Sequence, residues 1–283
     1  MNIASFPSRL VLELTPLCNL NCPMCPRHYI KETEGYMSQH LFRKLVDELE
    51  VENIQAILLP FWRGESCLHP DFSGLMNYAL DKKIRIHIST NGHFMGQEFM
   101  DIFYRCEFVT FSLHSDLGYK NARKFVESKP RWSQVITQVS FVDSEKSTKK
   151  ILAECSADVN LKGFDSLRLY VEHTIKGEFG RSSGESMSTR IFCPKLSHTF
   201  VVSADGGYSR CNHIWNPEVT PNLATASIKE VWRGVRMKEV RADYPDEKCG
   251  SCDQWTGHTN GEAWRKNANG LIDHVIYGVS DGR

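Results

Sequence analysis

Short apolar runs alternate with amphipathic stretches through the first two thirds of the chain. Runs rich in β-branched and aromatic residues are typical of buried strands, whereas apolar residues that recur every third or fourth position are typical of helices. The runs predict strands at 10–14, 54–60, 84–89, 108–113, 135–142 and 166–171. The amphipathic stretches predict helices at about 38–50, 71–81, 96–105, 118–128 and 145–154, with Ser38 and Asp71 as N-caps.

The order of these elements indicates the fold class. Strands that alternate with helices and recur about every 25 residues indicate a parallel sheet with right-handed crossovers. Such a sheet is either doubly wound or curled into a barrel, and the predicted strands are too few for a closed barrel of about eight. The pattern therefore predicts an α/β fold whose barrel, if one forms, is incomplete.

The pattern changes after a polar, glycine-containing segment that ends near residue 189. Beyond it the sequence predicts a hairpin and a helix, namely 198–203 and 208–210 around Asp205-Gly206-Gly207, and 227–240 capped by Ser227. The change predicts a domain boundary near residue 190, with one domain at 1–190 and a smaller one at 191–283.

Composition and charge exclude several classes of protein. The 283 residues are 41% apolar and 24% charged, which is ordinary for a globular chain and excludes a largely disordered one. Lys+Arg and Asp+Glu both total 34, so no overall positive charge attracts nucleic acid or an anionic membrane. The apolar runs are shorter than the roughly 20 residues of a membrane span, and the N-terminus lacks the pattern of a signal peptide. We therefore expect a cytoplasmic protein with no nucleic-acid or membrane partner.

Ten cysteines are many for a chain of this kind, and disulfides are disfavoured in a reducing compartment. Most of the cysteines fall into groups with the spacing of metal ligands. The candidate ligands are one group after the first predicted strand and a second group in the last third of the chain: Cys18, Cys22, Cys25, Cys193, Cys211, Cys249 and Cys252. Cys67, Cys106 and Cys155 stand apart, and we expect them to be small buried side chains.

The first group, CNLNCPMC, has the spacing C-x3-C-x2-C. A structural zinc site takes four ligands, whereas three thiolates leave one corner of an iron-sulfur cube open to an external ligand. With its surroundings, LELTPLCNLNCPMCPR, this group resembles the cluster loop of the radical S-adenosylmethionine enzymes. The resemblance implies a 4Fe-4S cluster on Cys18, Cys22 and Cys25, with Met24 packed against the adenine where the family often has an aromatic residue.

Two later segments extend the resemblance. FWRGESCLHP, after the second predicted strand, is similar to the family's GGEP segment, which implies that Gly64 and Glu65 receive the methionine moiety of S-adenosylmethionine. Arg63 and Ser66 replace a common glycine and proline there. STNG, at the end of the third predicted strand, resembles the family's polar contact to the ribose and the carboxylate. The resemblance therefore implies further cofactor contacts at the ends of two strands, from Ser89, Asn91 and Ser112.

The second group of cysteines has two interpretations. Four thiolates around a hairpin and a C-x2-C pair suit either zinc or an iron-sulfur cluster, and the number of ligands does not separate them. The surrounding segments resemble the twitch domain, a shortened SPASM domain, which implies an auxiliary 4Fe-4S cluster on Cys193, Cys211, Cys249 and Cys252. The resemblance as a whole implies a partial (β/α)6 TIM-like barrel followed by a small C-terminal iron-sulfur domain.

The resemblance also implies an activity. Enzymes of this family cleave S-adenosylmethionine reductively to a 5'-deoxyadenosyl radical, which abstracts a hydrogen atom from the substrate. A short chain with one auxiliary cluster is similar to the 2-deoxy-scyllo-inosamine dehydrogenases, which implies oxidation of a secondary alcohol of a carbohydrate or cyclitol, with flavodoxin or ferredoxin as electron donor. The candidate catalytic residues are His114 and Tyr170 near strand ends, and Arg181, the nearest equivalent of the family's substrate-contacting arginine.

Three alternatives stay open. A radical epimerase would need a cysteine hydrogen donor, for which Cys67 is the best placed in the sequence. Many SPASM relatives modify ribosomally made peptides, usually with an additional peptide-recognition domain, which we do not expect here. A zinc-binding interaction module without catalytic activity would explain the thiols but not the GE and STNG segments.

Overall fold

The computed structural model describes residues 3–25, 27, 34–142, 163–170, 193–246, 249, 252, 261–267, 269 and 271–277. By the contacts between its residues the chain forms two compact units. The first contains Met1–Ile88 and Cys193–Tyr244, and the second contains Ser89–Phe192 and Pro245–Arg283. No helix within the described ranges is long and apolar enough to cross a membrane.

The elements of the described residues alternate between strand and helix over most of the chain. In order they are β1 (Arg9–Leu12), α1 (Gln39–Asn53), β2 (Ile57–Leu59), a 3-10 turn (Ser66–Leu68), α2 (Phe72–Asp81), β3 (Arg85–Thr90), α3 (Gln97–Arg105), β4 (Phe108–Ser112), α4 (Asp116–Glu127), β5 (Ile136–Val142), β6 (Ser166–Tyr170), α5 (Lys195–His198), β7 (Thr199–Val202), β8 (Tyr208–Ser209), α6 (Ile228–Arg233), α7 (Val235–Ala242), β9 (Gly261–Lys266) and β10 (Ile272–Tyr277).

The sheet of the first unit has the order β3-β2-β1-β7-β8. Its central strand is β1, which runs parallel to both β2 and β7, so that Leu10 pairs with Leu58 on one side and with Phe200 on the other. All three side chains are fully buried. A parallel strand that is apolar on both faces must be covered on both faces, which explains why β1 carries an unbroken apolar run. The chain leaves β1 directly into the loop that carries the first three cysteines.

The sheet of the second unit has the order β10-β9-β6-β5-β4. β4, β5 and β6 are parallel, whereas β9 is antiparallel to β6 and β10 is antiparallel to β9. Its core contains a cluster of rings in which Tyr104 stacks on Phe125 with centroids 4.3 Å apart and Phe111 meets Phe125 edge-on at 5.3 Å. Within the described residues neither β8 nor β10 pairs with a further strand, so each of the two sheets is mixed and has an open edge at that strand.

The sequence predicted these elements well. All six predicted strands are confirmed within about three residues of their expected bounds, and the predicted α/β class is confirmed. Ser38 caps α1 as expected, since its hydroxyl accepts a hydrogen bond from Leu41 N–H at 3.1 Å. Asp71 does occupy the N-cap position of α2, but its side chain makes no capping bond.

One predicted helix is wrong, one hairpin was not predicted, and two further predictions fall outside the residues that the structure describes. The single helix predicted at 227–240 is wrong, because it breaks at Gly234 into α6 and α7; the capping box at Ser227 is present. The sequence did not predict β9 and β10. They form an antiparallel hairpin, and β9 pairs with β6, but their charged residues interrupt the apolar run that would indicate a strand. The helix predicted at 145–154 lies outside the described residues. So do the chain positions on either side of the domain boundary predicted at residue 190, which stays a prediction.

Candidate functional site

The loop after β1 carries Cys18, Cys22 and Cys25, and all three are half-buried. The Leu20 N–H donates to Cys18 Sγ at 3.4 Å, and the Cys25 N–H donates to the Cys22 carbonyl at 2.9 Å, which closes a turn. Burial raises the pKa of the Cys18 thiol, and the hydrogen bond from Leu20 partly offsets this rise. Cysteine thiolates are the usual ligands of iron-sulfur clusters, but among the described residues these three thiols are not drawn together as a metal-binding group, so their assignment to a cluster stays a prediction. Met24 lies half-buried on the turn between Cys22 and Cys25.

Gly64 and Glu65 follow β2 and pack directly against this cysteine loop. The Glu65 N–H donates to the Leu17 carbonyl at 2.8 Å. A methyl group on Gly64 would overlap the carbonyl oxygens of Thr15 and Leu17, so only glycine fits between the two loops. Glu65 is buried, and its carboxylate accepts a hydrogen bond from the Cys67 N–H at 3.3 Å. The structure therefore packs the GE segment against the loop that carries the first cysteine group, and the contacts to S-adenosylmethionine stay a prediction.

The second cysteine group begins in the same unit. Cys193 is buried and precedes α5, and Cys211 is half-buried and follows β8. The His213 N–H donates to Cys211 Sγ at 3.4 Å. The side chains of Lys195 and His213 are joined at 2.5 Å, so the segments that follow the two cysteines are tied to each other.

Cys249 and Cys252 belong to the second unit. The Cys249 N–H donates to Asp246 Oδ1 at 2.9 Å, and the Cys252 N–H donates to the Cys249 carbonyl at 3.2 Å, which makes the C-x2-C pair a tight turn. Among the described residues, no group of three or more His, Cys, Asp or Glu is placed to hold a metal ion. The assignment of all four cysteines to one cluster stays a prediction.

The end of β3 carries Ser89 and Asn91 in the second unit. Ser89 is half-buried and Asn91 is buried. Asn91 Oδ1 accepts a hydrogen bond from the His93 N–H at 3.0 Å, and Gly92 adopts a φ of 77°, which favours glycine. The Gly92 carbonyl in turn accepts from Asn121 Nδ2 at 2.9 Å. These bonds fix the turn, so that the STNG segment presents polar atoms in a single arrangement.

The end of β4 carries Ser112 and His114. Ser112 Oγ lies 3.1 Å from His114 Nε2, and both side chains are half-buried. His114 Nδ1 is buried, and no atom of the described residues forms a hydrogen bond with it. Burial lowers the pKa of His114 from 6.5 to about 4, so the imidazole is neutral at physiological pH. A neutral ring with one nitrogen held and the other unused can accept or donate a proton at that nitrogen.

The remaining candidates for substrate contact are placed only in part. Tyr170 ends β6 and is half-buried, with the guanidinium carbon of Arg168 5.0 Å from its ring centroid. Arg181 lies outside the described residues. Its role stays a prediction.

Two residues of the first unit that the sequence analysis did not single out contact the loop after β2. Glu13 is fully buried and forms an ion pair with Arg63. Trp215 stacks on Trp62 with ring centroids 6.2 Å apart, and no described atom accepts a hydrogen bond from its buried indole N–H. The one signal for Glu13 in the sequence was an acid inside an apolar strand run, which demands a buried partner.

Models of two known protein families match parts of this chain. Residues 12–139 match the family model of the radical SAM superfamily, in which SAM denotes S-adenosylmethionine. Residues 193–253 match the model of the SPASM domain, an iron-sulfur cluster-binding domain. The two matches contain all seven cysteines predicted as ligands.

Curated proteins match over a shorter stretch. The chain is 32% identical over 91 residues to a tungsten-containing aldehyde ferredoxin oxidoreductase cofactor-modifying protein of Pyrococcus furiosus, which covers 32% of this chain and 26% of that protein. It is 35% identical over 86 residues to the mycofactocin maturase MftC of Mycobacterium tuberculosis, over 30% of this chain and 22% of that protein. The matched stretch thus spans about a quarter of the length of these relatives.

Solved structures match over most of the chain. BtrN in complex with AdoMet and 2-DOIA superposes with a TM-score of 0.64 at 17% identity, over 87% of this chain and 92% of that chain. Streptococcus suis SuiB bound to the precursor peptide SuiA gives a TM-score of 0.66 at 15% identity, over 92% and 72% respectively. At these identities the likeness shows the fold alone, and it confirms the α/β partial barrel that the sequence predicted.

Proposed function

From the premise that residues 12–139 form a radical SAM domain and residues 193–253 a SPASM iron-sulfur cluster-binding domain, we propose that the protein dehydrogenates a secondary alcohol of a carbohydrate or cyclitol. The coarse part of this statement, a radical SAM protein with iron-sulfur clusters, follows from the family models. The alcohol, and the use of the second cluster as an electron acceptor, are the proposal.

The residues of the chain divide into those that hold cofactors and those that handle substrate. In the first unit, Cys18, Cys22 and Cys25 would hold one cluster, with Gly64 and Glu65 beside them for S-adenosylmethionine. When bound, S-adenosylmethionine and this cluster supply the radical that removes a carbon-bound hydrogen atom, and the second cluster supplies an acceptor for the remaining electron. The protein itself must orient the carbon-hydrogen bond, exclude water and take up the hydroxyl proton.

The observation that carries the proposal is the state of His114. Oxidation of an alcohol to a ketone removes one hydrogen atom from carbon, one proton from oxygen and one electron. An imidazole that takes up this proton must start unprotonated, and burial keeps His114 unprotonated at any pH well above about 4. Its Nε2 is held by Ser112 Oγ, while its buried Nδ1 has no partner among the described residues. His114 Nδ1 is thus the atom to which we assign the hydroxyl proton.

The choice of a small polyhydroxylated substrate is supported by the match to BtrN, which was solved with AdoMet and 2-DOIA and spans almost the same length of chain. The match to SuiB, which was solved with the precursor peptide SuiA, supports a peptide substrate instead. The two substrate classes are therefore compared in the same experiment. Flavodoxin or ferredoxin stays the predicted electron donor.

The first experiment counts metal. Protein reconstituted without oxygen should hold about eight irons, and a Cys18→Ala/Cys22→Ala/Cys25→Ala variant about four. Only the wild type should convert S-adenosylmethionine to 5'-deoxyadenosine. Zinc in place of iron, with no cleavage in either protein, would contradict the radical chemistry. About four irons with one zinc would remove the electron acceptor and favour a redox-neutral epimerase.

The second experiment tests the alcohol and His114 together. The reconstituted protein is incubated separately with cyclitols, amino-cyclitols, sugars and short peptides, and the products are identified by mass, with new carbonyl groups trapped as oximes. His114→Asn should lower carbonyl formation by about 10²- to 10⁴-fold and leave the cleavage of S-adenosylmethionine without substrate unchanged. His40→Asn is the control, because His40 is exposed at the start of α1. Carbonyl formation at the wild-type rate in His114→Asn would overturn the assignment, and turnover of a peptide without any polyol would overturn the substrate class.

A further inference from the structure

The loop at 62–65 lies between the two cysteine-bearing segments of the first unit. On one side it contacts the first cysteine loop, because the Glu65 N–H donates to the Leu17 carbonyl at 2.8 Å and Gly64 packs against the backbone of Thr15 and Leu17. Those contacts lie within a few residues of Cys18. Any movement of this loop therefore changes the position of Glu65 relative to the first cysteine group.

On its other side the same loop contacts the segment that follows Cys211. The Trp62 indole N–H donates to the Asn212 carbonyl at 2.8 Å, and Arg63 Nη1 donates to the Trp215 carbonyl at 3.0 Å. The rings of Trp62 and Trp215 stack with 24° between their planes. Two neighbouring side chains thus fix two carbonyls of one short turn.

The orientation of the Arg63 side chain is fixed by Glu13. Its guanidinium donates from Nε and Nη2 to the two carboxylate oxygens of Glu13, each at 2.5 Å, and both side chains are buried. The carboxylate is itself held by the Ala204 N–H at 3.2 Å. Because the guanidinium donors have a fixed planar arrangement, the two bonds to Glu13 determine where the third donor points. The hydrogen bond from Arg63 Nη1 can therefore form only when the Trp215 carbonyl lies in one position.

We propose that Arg63, together with Trp62, is a positioning residue that couples the Cys211 segment to the S-adenosylmethionine loop at Gly64 and Glu65. The inference rests on the cofactor assignments of the proposed function and is independent of the alcohol substrate. Cys211 begins the 211–215 turn, so a cluster held there would restrain that turn, whose carbonyls at Asn212 and Trp215 accept hydrogen bonds from the loop that presents Glu65. Without that restraint the turn is held only by its own hydrogen bonds, among them those from Ser209 Oγ to the Cys211 and Ile214 carbonyls, and S-adenosylmethionine has to order more of the 62–65 loop when it binds.

This coupling must work in both directions, since a coupling free energy is shared by the two sites. Loss of the second cluster weakens the binding of S-adenosylmethionine, and bound S-adenosylmethionine strengthens retention of the second cluster. A residue that only stabilises the fold would weaken S-adenosylmethionine binding by the same factor whether or not the second cluster is present. The quantity to measure is therefore the ratio of the S-adenosylmethionine dissociation constant without the second cluster to that with it.

The experiment uses the full chain, reconstituted without oxygen, with and without the second cluster. The cluster is removed in a Cys193→Ala/Cys211→Ala variant, and in a Cys249→Ala/Cys252→Ala variant whose substitutions lie far along the chain from the 62–65 loop. The dissociation constant of S-adenosylmethionine is measured by equilibrium dialysis, with the spectroscopic signal of the first cluster confirming that it is intact. In the wild-type background, we expect loss of the second cluster to raise the constant on the order of tenfold.

The same comparison is then made in a Trp62→Phe/Arg63→Lys background. Lysine keeps a positive charge opposite Glu13, and phenylalanine keeps an aromatic ring opposite Trp215, so the fold is spared a buried uncompensated charge or a large cavity. We expect the effect of removing the second cluster to fall below about twofold in this background. The proposal would be overturned if removal of the second cluster changed the dissociation constant by the same factor in both backgrounds. That outcome is distinct from failure of the alcohol hypothesis, because no substrate enters the measurement.

Discussion

The Arg63 guanidinium holds the Glu13 carboxylate through two hydrogen bonds of 2.5 Å, although the residues are 50 positions apart in the sequence. Glu13 directly follows β1, and Arg63 lies in the loop after β2, so the ion pair joins the loops that follow two adjacent strands. Both side chains are buried, at 0% and 3% exposure. A paired buried charge costs little, whereas one that has lost its partner costs much more.

Removal of one partner should therefore destabilise the protein strongly. Arg63→Met leaves the Glu13 carboxylate buried and uncompensated, and we expect it to lower the free energy of unfolding by about 3–5 kcal/mol. The double variant Glu13→Gln/Arg63→Met should recover much of this loss. Urea unfolding followed by tryptophan fluorescence measures both. Arg123→Met, which breaks an exposed ion pair with Glu127, is the matched control and should leave the midpoint nearly unchanged. A double variant no more stable than Arg63→Met would contradict the explanation.

Gly64 should tolerate no side chain. A methyl group there meets the carbonyl oxygens of Thr15 and Leu17, which are backbone atoms of the loop that carries the first cysteines and cannot rotate away. We expect Gly64→Ala to weaken S-adenosylmethionine binding by roughly tenfold or more, a loss on the order of 1.4 kcal/mol. Gly96→Ala is the control, because a methyl group on Gly96 has no neighbour within 4 Å. Equal affinities in the two variants would show that the two loops do not need this close approach.

His114 should make the stability of the protein depend on pH. Its pKa is about 4 in the folded protein and about 6.5 when unfolded. Above pH 6.5 the ring is neutral in both states and the effect is absent. As the pH falls from about 6.5 to about 4, the unfolded chain binds a proton that the folded chain does not, so stability decreases. Between pH 7.5 and 5.5 this contributes about 1.4 kcal/mol, and His114→Asn should remove that contribution from the pH dependence of urea unfolding. The same pH dependence in both proteins would place a solvated imidazole at this position.

The sequence predicted what depends on local pattern and on motifs. The strands were visible as apolar runs, and the capping of α1 was visible at Ser38, because both depend on neighbours in the sequence. The GE segment and the loop of the first cysteine group meet in the structure because each follows one of two adjacent parallel strands. Loops at the same end of such strands must lie side by side.

What the sequence did not predict depends on contacts between distant residues. The Glu13–Arg63 pair and the bonds from Trp62 and Arg63 to the 212–215 turn join positions that are 50 to 152 residues apart. No periodicity records such a pairing. The β9–β10 hairpin was missed for the same reason, since a strand with several charged residues becomes a strand only through its pairing with β6.

Cys67 should be dispensable for the reaction. A dehydrogenase needs no thiol hydrogen donor, whereas an epimerase must return a hydrogen atom to the substrate carbon, and Cys67 is the cysteine that the sequence offered for this role. Cys67 is buried beside Glu65, while Cys106 donates its thiol hydrogen to the Ile102 carbonyl at 3.5 Å and has a pKa raised by burial to about 12. Cys106→Ala is therefore the matched control for the loss of a buried thiol. We expect Cys67→Ala to yield as much carbonyl product for each 5'-deoxyadenosine as the wild type and Cys106→Ala do, with no deuterium entering the substrate carbon in heavy water. Solvent deuterium that enters the product of the wild type but not of Cys67→Ala would instead establish the epimerase, because only a thiol that exchanges with solvent delivers that label.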